Sequence, residues 1–164
     1  MTAEPAPGVL APGVLAPGVL APGVLAPGVL VVDDSSMMRT LLSRLVEGGG
    51  WRLAGTAANG REAIERATAL QPALCLLDLE MPVMGGLDAL PAIRAVSPAA
   101  VVVVSSVAGA GSPERLACLM AGAAAVVSKP SGAVSADLME RSGRAILDAM
   151  RAALGDPSAG TEAP

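Results

Sequence analysis

The sequence contains no histidine, no phenylalanine and no tyrosine, and Trp51 is its one aromatic residue. Without His there can be no Ser-His-Asp triad, no phosphohistidine relay within the chain and no His-ligated metal. Without a set of rings there is no stacking platform for bases. Cysteine is limited to Cys75 and Cys118, both in apolar segments, where they read as small buried hydrophobes; nothing calls for an oxidising compartment. No run of about 18 residues is free of Pro, Gly and charge. The 52% hydrophobic content and mean hydropathy of +0.59 therefore do not encode a spanning helix. The opening MTAEPAPG has no basic residue and no continuous apolar core, so it is not expected to be a secretory signal. A net charge of -4, a pI near 4.7 and no basic cluster argue against direct nucleic-acid binding. Lysine is scarce too: Lys129 stands alone while arginine supplies every other side-chain cation. The two are not interchangeable, so a lone lysine marks a place that wants a compact ammonium.

What is present begins with a repeat. The unit APGVL recurs five times without a substitution from Ala6 to Leu30. Each Pro-Gly favours a type II turn, Pro setting one dihedral and Gly supplying the positive one. A turn every five residues forbids helix and interrupts strand. The composition resembles elastin-type repeats, but duplicated coding sequence tolerated at an exposed terminus is the simpler expectation. Residues 1–27 are accordingly expected to be a disordered low-complexity arm, and 155–164 a disordered tail. About 130 residues remain, enough for one domain, placed at 28–154.

Within it, short apolar runs at 29–32, 52–57, 73–77, 100–104 and 124–128 alternate with helix-length amphipathic segments. Near-continuous apolar runs suit parallel strands covered on both faces. Ser35 or Ser36 can cap a first helix that stops before Gly48-Gly49-Gly50, and Asn59 a second that stops before Gln71-Pro72. Ser112-Pro113-Glu114 starts another, with Gly122 as its stop. A last helix over 134–154 sets Leu138, Ala145, Ile146, Ala149, Met150 and Ala153 on one face. The pattern predicts an α/β fold, a doubly wound five-stranded parallel sheet with five helices and right-handed crossovers. Val29 and Leu30 belong to the first strand, with Pro27-Gly28 as the turn before it, since a central strand tolerates Pro only at its start.

That layout puts Asp33 and Asp34 after the first strand, Asp78 after the third, Ser105 and Ser106 after the fourth and Lys129 after the fifth. All lie at carboxyl ends of strands, where open α/β sheets bind ligands. Converging carboxylates repel unless a hard cation such as Mg2+, or Mn2+ in its place, takes oxygen ligands from them. An Asp beside such an ion can attack a phosphoryl group, giving an aspartyl phosphate. A lysine ammonium can neutralise charge on the transferred oxygens, and a hydroxyl opposite can donate to one of them. Taken singly, Asp33-Asp34-Ser35 could be a helix cap and Asp78 a turn former; four sets of polar residues at one sheet edge favour the chemical reading.

The segments VLVVDDSSMMR, LLDLEMPVMGGLDAL, VVVVSS and AAAVVSKPSG resemble a response-regulator receiver domain over about Val29 to Leu154. The resemblance implies a flavodoxin-like sheet of order 2-1-3-4-5 and makes Asp78 the phosphoacceptor. It implies that Asp33, Asp34, Asp78 and the backbone carbonyl of Glu80 hold Mg2+. Ser105 would be the hydroxyl that moves toward the phosphoryl group, Lys129 the ion-pairing lysine, and Lys129-Pro130 a cis peptide. DLEMP, the double Ser and KPSG are most similar to the receiver half of chemotaxis protein-glutamate methylesterases. A chain without His is not expected to carry their esterase activity.

The expectation is thus a cytoplasmic phosphorylation-controlled binding switch of a chemotaxis-type two-component system, not an enzyme beyond phosphoryl chemistry at Asp78. Its phosphodonor would be a sensor histidine kinase and its output a protein the sequence does not name, with no nucleic acid and no membrane. Three residues depart from the family pattern: Gly85 where an acid is usual, Val126 where an aromatic usually swings, and Pro91 inside the third helix. The rival readings are the receiver piece of a methylesterase, an elastin-like assembly protein, and a haloacid-dehalogenase-like phosphatase. The last places its nucleophile in an Asp-x-Asp pair after the first strand; here the pair is adjacent and the lone Asp follows the third.

Overall fold

A computed structural model describes residues 14–16, 19–20, 27–107, 109–129 and 136–154. Five strands form one parallel sheet: β1 (Gly28–Val32), β2 (Arg52–Ala57), β3 (Leu74–Leu77), β4 (Ala100–Ser105) and β5 (Ala125–Ser128), in the order β2-β1-β3-β4-β5. The helices are α1 (Ser36–Gly48), α2 (Gly60–Leu70), α3 (Gly86–Val96), α4 (Pro113–Met120) and α5 (Ala136–Leu154). This is the expected flavodoxin-like arrangement. Among the described residues no helix is long and apolar enough to cross a membrane.

Strand alternation splits the core in two. Leu30, Val32, Cys75, Leu77, Val101 and Val103 face α2, α3 and α4, meeting Ala63, Ala67, Ala89, Leu90, Ile93 and Cys118. Val29, Val31, Leu74, Leu76, Val102 and Val104 face α1 and α5, meeting Leu42, Val46, Trp51, Ile146 and Met150. Both faces of every central strand are buried, which is why those strands read as unbroken apolar runs.

The helix-start signals act as their chemistry predicts, while α1 runs one residue past its expected stop, through Gly48, to a C-cap at Gly49. Ser35 caps α1 by accepting from the Met38 amide, Asn59 caps α2 through Glu62, and Ser112 caps α4 through Arg115. Pro91 does not end α3, which continues to Val96. It lies on the exposed side, opposite buried Ala89, Leu90 and Ile93, so the carbonyl one turn back loses its amide partner toward water.

Three expectations need correction. Gly28 is not part of a turn: it is the first residue of β1, buried, with Arg52 as its β2 partner, because the Pro27 and Gly28 carbonyls accept from Arg52 and Ala73. Ala145 is exposed, because the buried positions of α5 advance through Gly143, Ile146 and Met150 and leave it off to one side. Within the repeat, Val14–Ala16 pairs antiparallel with Val19–Leu20, so at these positions the arm is not without structure. The side chain of Leu138, the Lys129-Pro130 peptide bond and residues 155–164 lie outside the described residues.

Candidate functional site

The site is assembled from the first residues past three strand ends. The Asp33 amide donates to the Ala57 carbonyl, the Asp78 amide to the Val32 carbonyl and the Lys129 amide to the Ser105 carbonyl, so each loop starts in register with a neighbouring strand. Asp33 is wholly buried, Asp78 is 4% exposed and Asp34 faces solvent. Ligand oxygens of these three acids all lie within 4.8 Å of one another.

The two buried carboxylates are held. Asp33 Oδ1 accepts from the Ser35 amide at 2.9 Å, and the Arg39 guanidinium donates to the Asp33 backbone carbonyl at 2.8 Å. Asp78 Oδ1 accepts from the Leu79 amide at 2.8 Å. The other oxygens converge on Lys129, whose Nζ is 2.8 Å from Asp33 Oδ2 and 3.1 Å from Asp78 Oδ2. Asp33 Oδ2 has no hydrogen bond of good geometry, only that ion-pair contact. A buried carboxylate oxygen short of donors, beside two further acids, is an all-oxygen donor set that fits a hard divalent cation.

Electrostatics follow from burial and crowding. Burial raises the Asp78 pKa, and the Asp33 charge raises it further; Lys129 and the Leu79 amide oppose this without cancelling it. For Lys129, burial pulls the pKa down, but its close contacts with the Asp33 and Asp78 carboxylates outweigh that and the net shift is upward. The ammonium therefore stays charged across the physiological range.

Ser105 ends β4 in register with Ser128, next to Lys129, and is buried. Its Oγ accepts from the Val107 amide at 3.1 Å, so the hydroxyl is engaged with its own loop. Ser106 is exposed, and so is Glu80, two residues beyond Asp78.

Two positioning features were not evident from the sequence. A Cβ on Gly86 would run into the Asp78 carbonyl oxygen, so α3 can start against the Asp78 backbone only with glycine there, and the Gly86 amide donates to the Leu79 carbonyl. Between them, Val83 has φ of 68°, and the Met84 amide donates to the Pro82 carbonyl, a tight γ-turn around a β-branched residue. The doubled glycine at a helix start was the available signal for the first; the second has none.

A family model described as the response regulator receiver domain matches residues 29–141. The protein-glutamate methylesterase/protein-glutamine glutaminase of Geobacillus kaustophilus (strain HTA426) is 47% identical over 110 residues, which is 66% of this chain and 32% of the relative. The chain thus spans about a third of that relative's length. The crystal structure of the response regulator domain of Thermotoga maritima CheB superposes with a TM-score of 0.73 at 33% identity, covering 79% of this chain and 97% of that one. A chain in the crystal structure of the P1 domain of CheA3 in complex with CheY6 from R. sphaeroides gives a TM-score of 0.66 at 34% identity, covering 80% and 99%.

Proposed function

This chain belongs to the response regulator receiver domain family, as a phosphoacceptor receiver of the chemotaxis type, and from that premise we propose that Asp78 is the residue phosphorylated. A phosphohistidine of a sensor histidine kinase is the donor. The P–N bond to the donor imidazole breaks, a P–O bond to an Asp78 carboxylate oxygen forms, and the electron pair stays on the imidazole nitrogen.

The observation that carries this reading is the Lys129 ammonium set 2.8 Å and 3.1 Å from Asp33 and Asp78, with Asp34 completing an acidic triad. In it Asp33, Asp34, Asp78 and the Glu80 backbone carbonyl would hold Mg2+, or Mn2+. Bound there, the ion supplies the positive charge that lets a phosphoryl group approach three carboxylates. Lys129 neutralises a phosphoryl oxygen as charge arrives, and its raised pKa keeps it cationic while doing so. The Ser105 hydroxyl, which accepts from the Val107 amide, donates a hydrogen bond to another phosphoryl oxygen. The Leu79 amide fixes Asp78 Oδ1 and so orients the carboxylate. The domain acts in the cytoplasm, where its two thiols stay reduced. Methylesterase and glutaminase chemistry, named for the relatives, is assigned to none of residues 29–141.

Incubation with acetyl phosphate and Mg2+ tests this. One acid-stable, base-labile phosphoryl group per chain is expected, lost in Asp78→Asn. A label that persists in Asp78→Asn, with undiminished labelling in Asp34→Ala, would overturn the assignment.

A further inference from the structure

The helix α4 is thinly anchored. Cys118 is its one buried residue, while Leu116, Leu119 and Met120 stand exposed. Its start follows the loop that leaves Ser105, and the Ser112 hydroxyl caps it by accepting from the Arg115 amide at 3.1 Å. The Arg115 side chain then crosses to β5 and donates to the Val126 carbonyl at 2.7 Å. β5 is an edge strand with a strand neighbour on one side only. Among the described residues this is the one hydrogen bond between the two elements, and it is charge-assisted and half-buried.

The side chain of Val126 offers no second position for such a link. It is 3% exposed and β-branched, so it is stiff about χ1, and the chain has no ring but Trp51 that could swing in its place. We propose that Arg115 is a latch joining α4 to β5 and that it holds the unphosphorylated arrangement of this face. The proposal rests on the phosphoacceptor reading of Asp78. The chain of contacts is short. Ser105 Oγ now accepts from the Val107 amide and keeps its own O–H to donate, so a phosphoryl group on Asp78 gives the hydroxyl a second partner that draws it toward the site. That pull on the end of β4 is passed on toward Ser112 and Arg115, whose amide is tied to that cap. The guanidinium lets go of the Val126 carbonyl, and α4 moves on β5. A two-state element biased from one end in this way couples the sites in both directions. If Arg115 favours the unphosphorylated state, removing it must also tighten binding of an activating ligand at Asp78.

The test compares the full chain with Arg115→Met, which keeps the stem, and with Arg115→Gln in case the first folds poorly. Hydrogen exchange at 113–120 and 125–128 is followed with and without acetyl phosphate and Mg2+, and beryllofluoride affinity is measured with Mg2+ by calorimetry. In the wild-type chain, phosphorylation should speed exchange in both segments. In the variants, α4 amides should exchange about tenfold faster before phosphorylation, change less than half as much on it, and bind beryllofluoride several-fold more tightly. Arg115→Lys, which keeps a donor, should fall between. A merely structural role would speed exchange throughout the sheet and leave beryllofluoride affinity the same or weaker. That outcome overturns the latch, as does an equal phosphorylation response in all variants. A wild-type chain labelled at Asp78 without any response in α4 overturns the latch and leaves the phosphoacceptor reading standing. Failure to label Asp78 overturns both.

Discussion

Gly86 lies against the backbone of Asp78 so closely that a side chain there would occupy the space of the Asp78 carbonyl oxygen. The first turn of α3 is thus a wall behind the loop that presents the carboxylate. Gly86→Ala must push the two apart. Forced overpacking of this kind costs about 1–3 kcal/mol. Urea denaturation should show that loss, and labelling by acetyl phosphate should slow because Asp78 is displaced from Lys129. Unchanged stability together with an unchanged labelling rate would mean that the loop relaxes freely and does not position the acid.

Val83 is strained in the same loop. A left-handed φ costs a residue with a Cβ about 1–2 kcal/mol, and a β-branched one sits there worst. The side chain is 75% exposed, so little packing is lost with it. Glycine removes the strain at a cost of about 0.5–1 kcal/mol in chain entropy. Val83→Gly should therefore stabilise the domain by about 1 kcal/mol, seen as a higher urea midpoint at unchanged slope. A lower midpoint would show that the turn is not strained in the folded chain.

Alkaline titration is unusually readable in this protein, because it has no tyrosine and a single lysine. Burial pushes the Cys75 thiol from 9.0 up to about 12. Between those values the unfolded chain has lost a proton that the folded chain keeps, so the folded state binds more protons and stability falls as pH rises. The slope for one such proton is about 1.4 kcal/mol per pH unit. Lys129 adds to this. Its folded pKa lies above the ordinary 10.5, so its stabilisation is complete below that value and is lost as pH rises through the raised one. Denaturant midpoints measured from pH 8 to 11 should fall from about pH 9. They should fall less steeply in Cys75→Val up to pH 10, and less steeply in Lys129→Gln only above it. Parallel curves for all three proteins would contradict both assignments.

Much of the architecture was legible because burial on both sides of a parallel sheet leaves a plain mark: LCLL and VVVV carry no polar residue to interrupt them. The acids and the lysine were legible for a related reason. A polar residue directly after such a run has nowhere to go but the carboxyl edge, and Asp33, Asp78 and Lys129 all sit there. What escaped notice depends on distances between segments far apart in sequence or on backbone angles. Gly86 matters through its approach to Asp78, Val83 through its φ, and Arg115 through a carbonyl eleven residues away. Ala145 was misplaced because alanine reads as apolar on any helix face, whereas over the described side chains α5 turns Gly143, Ile146 and Met150 inward.

The boundary between repeat and domain gives the last test. Gly28, Val29 and Leu30 come from the fifth APGVL unit, yet they form β1 between β2 and β3 and are buried. An earlier unit cannot replace them from its own position, because its VL is followed by Ala-Pro where β1 continues with Val31 and Val32. A proline there would interrupt a central strand that is paired on both sides. The same repeat is therefore dispensable up to Leu25 and indispensable after Pro27. Deleting Ala6 to Leu25 should leave stability within about 0.5 kcal/mol and phosphorylation unchanged, as for a change at the surface. Deleting Ala6 to Leu30 removes Val29 and Leu30 from the core, each buried side chain being worth about 1.5–3 kcal/mol, and should unfold a domain whose whole stability is about 5–15 kcal/mol or leave it marginal. Thermal melts of the two truncations settle the matter: equal midpoints would mean that the strand borrows nothing from the repeat.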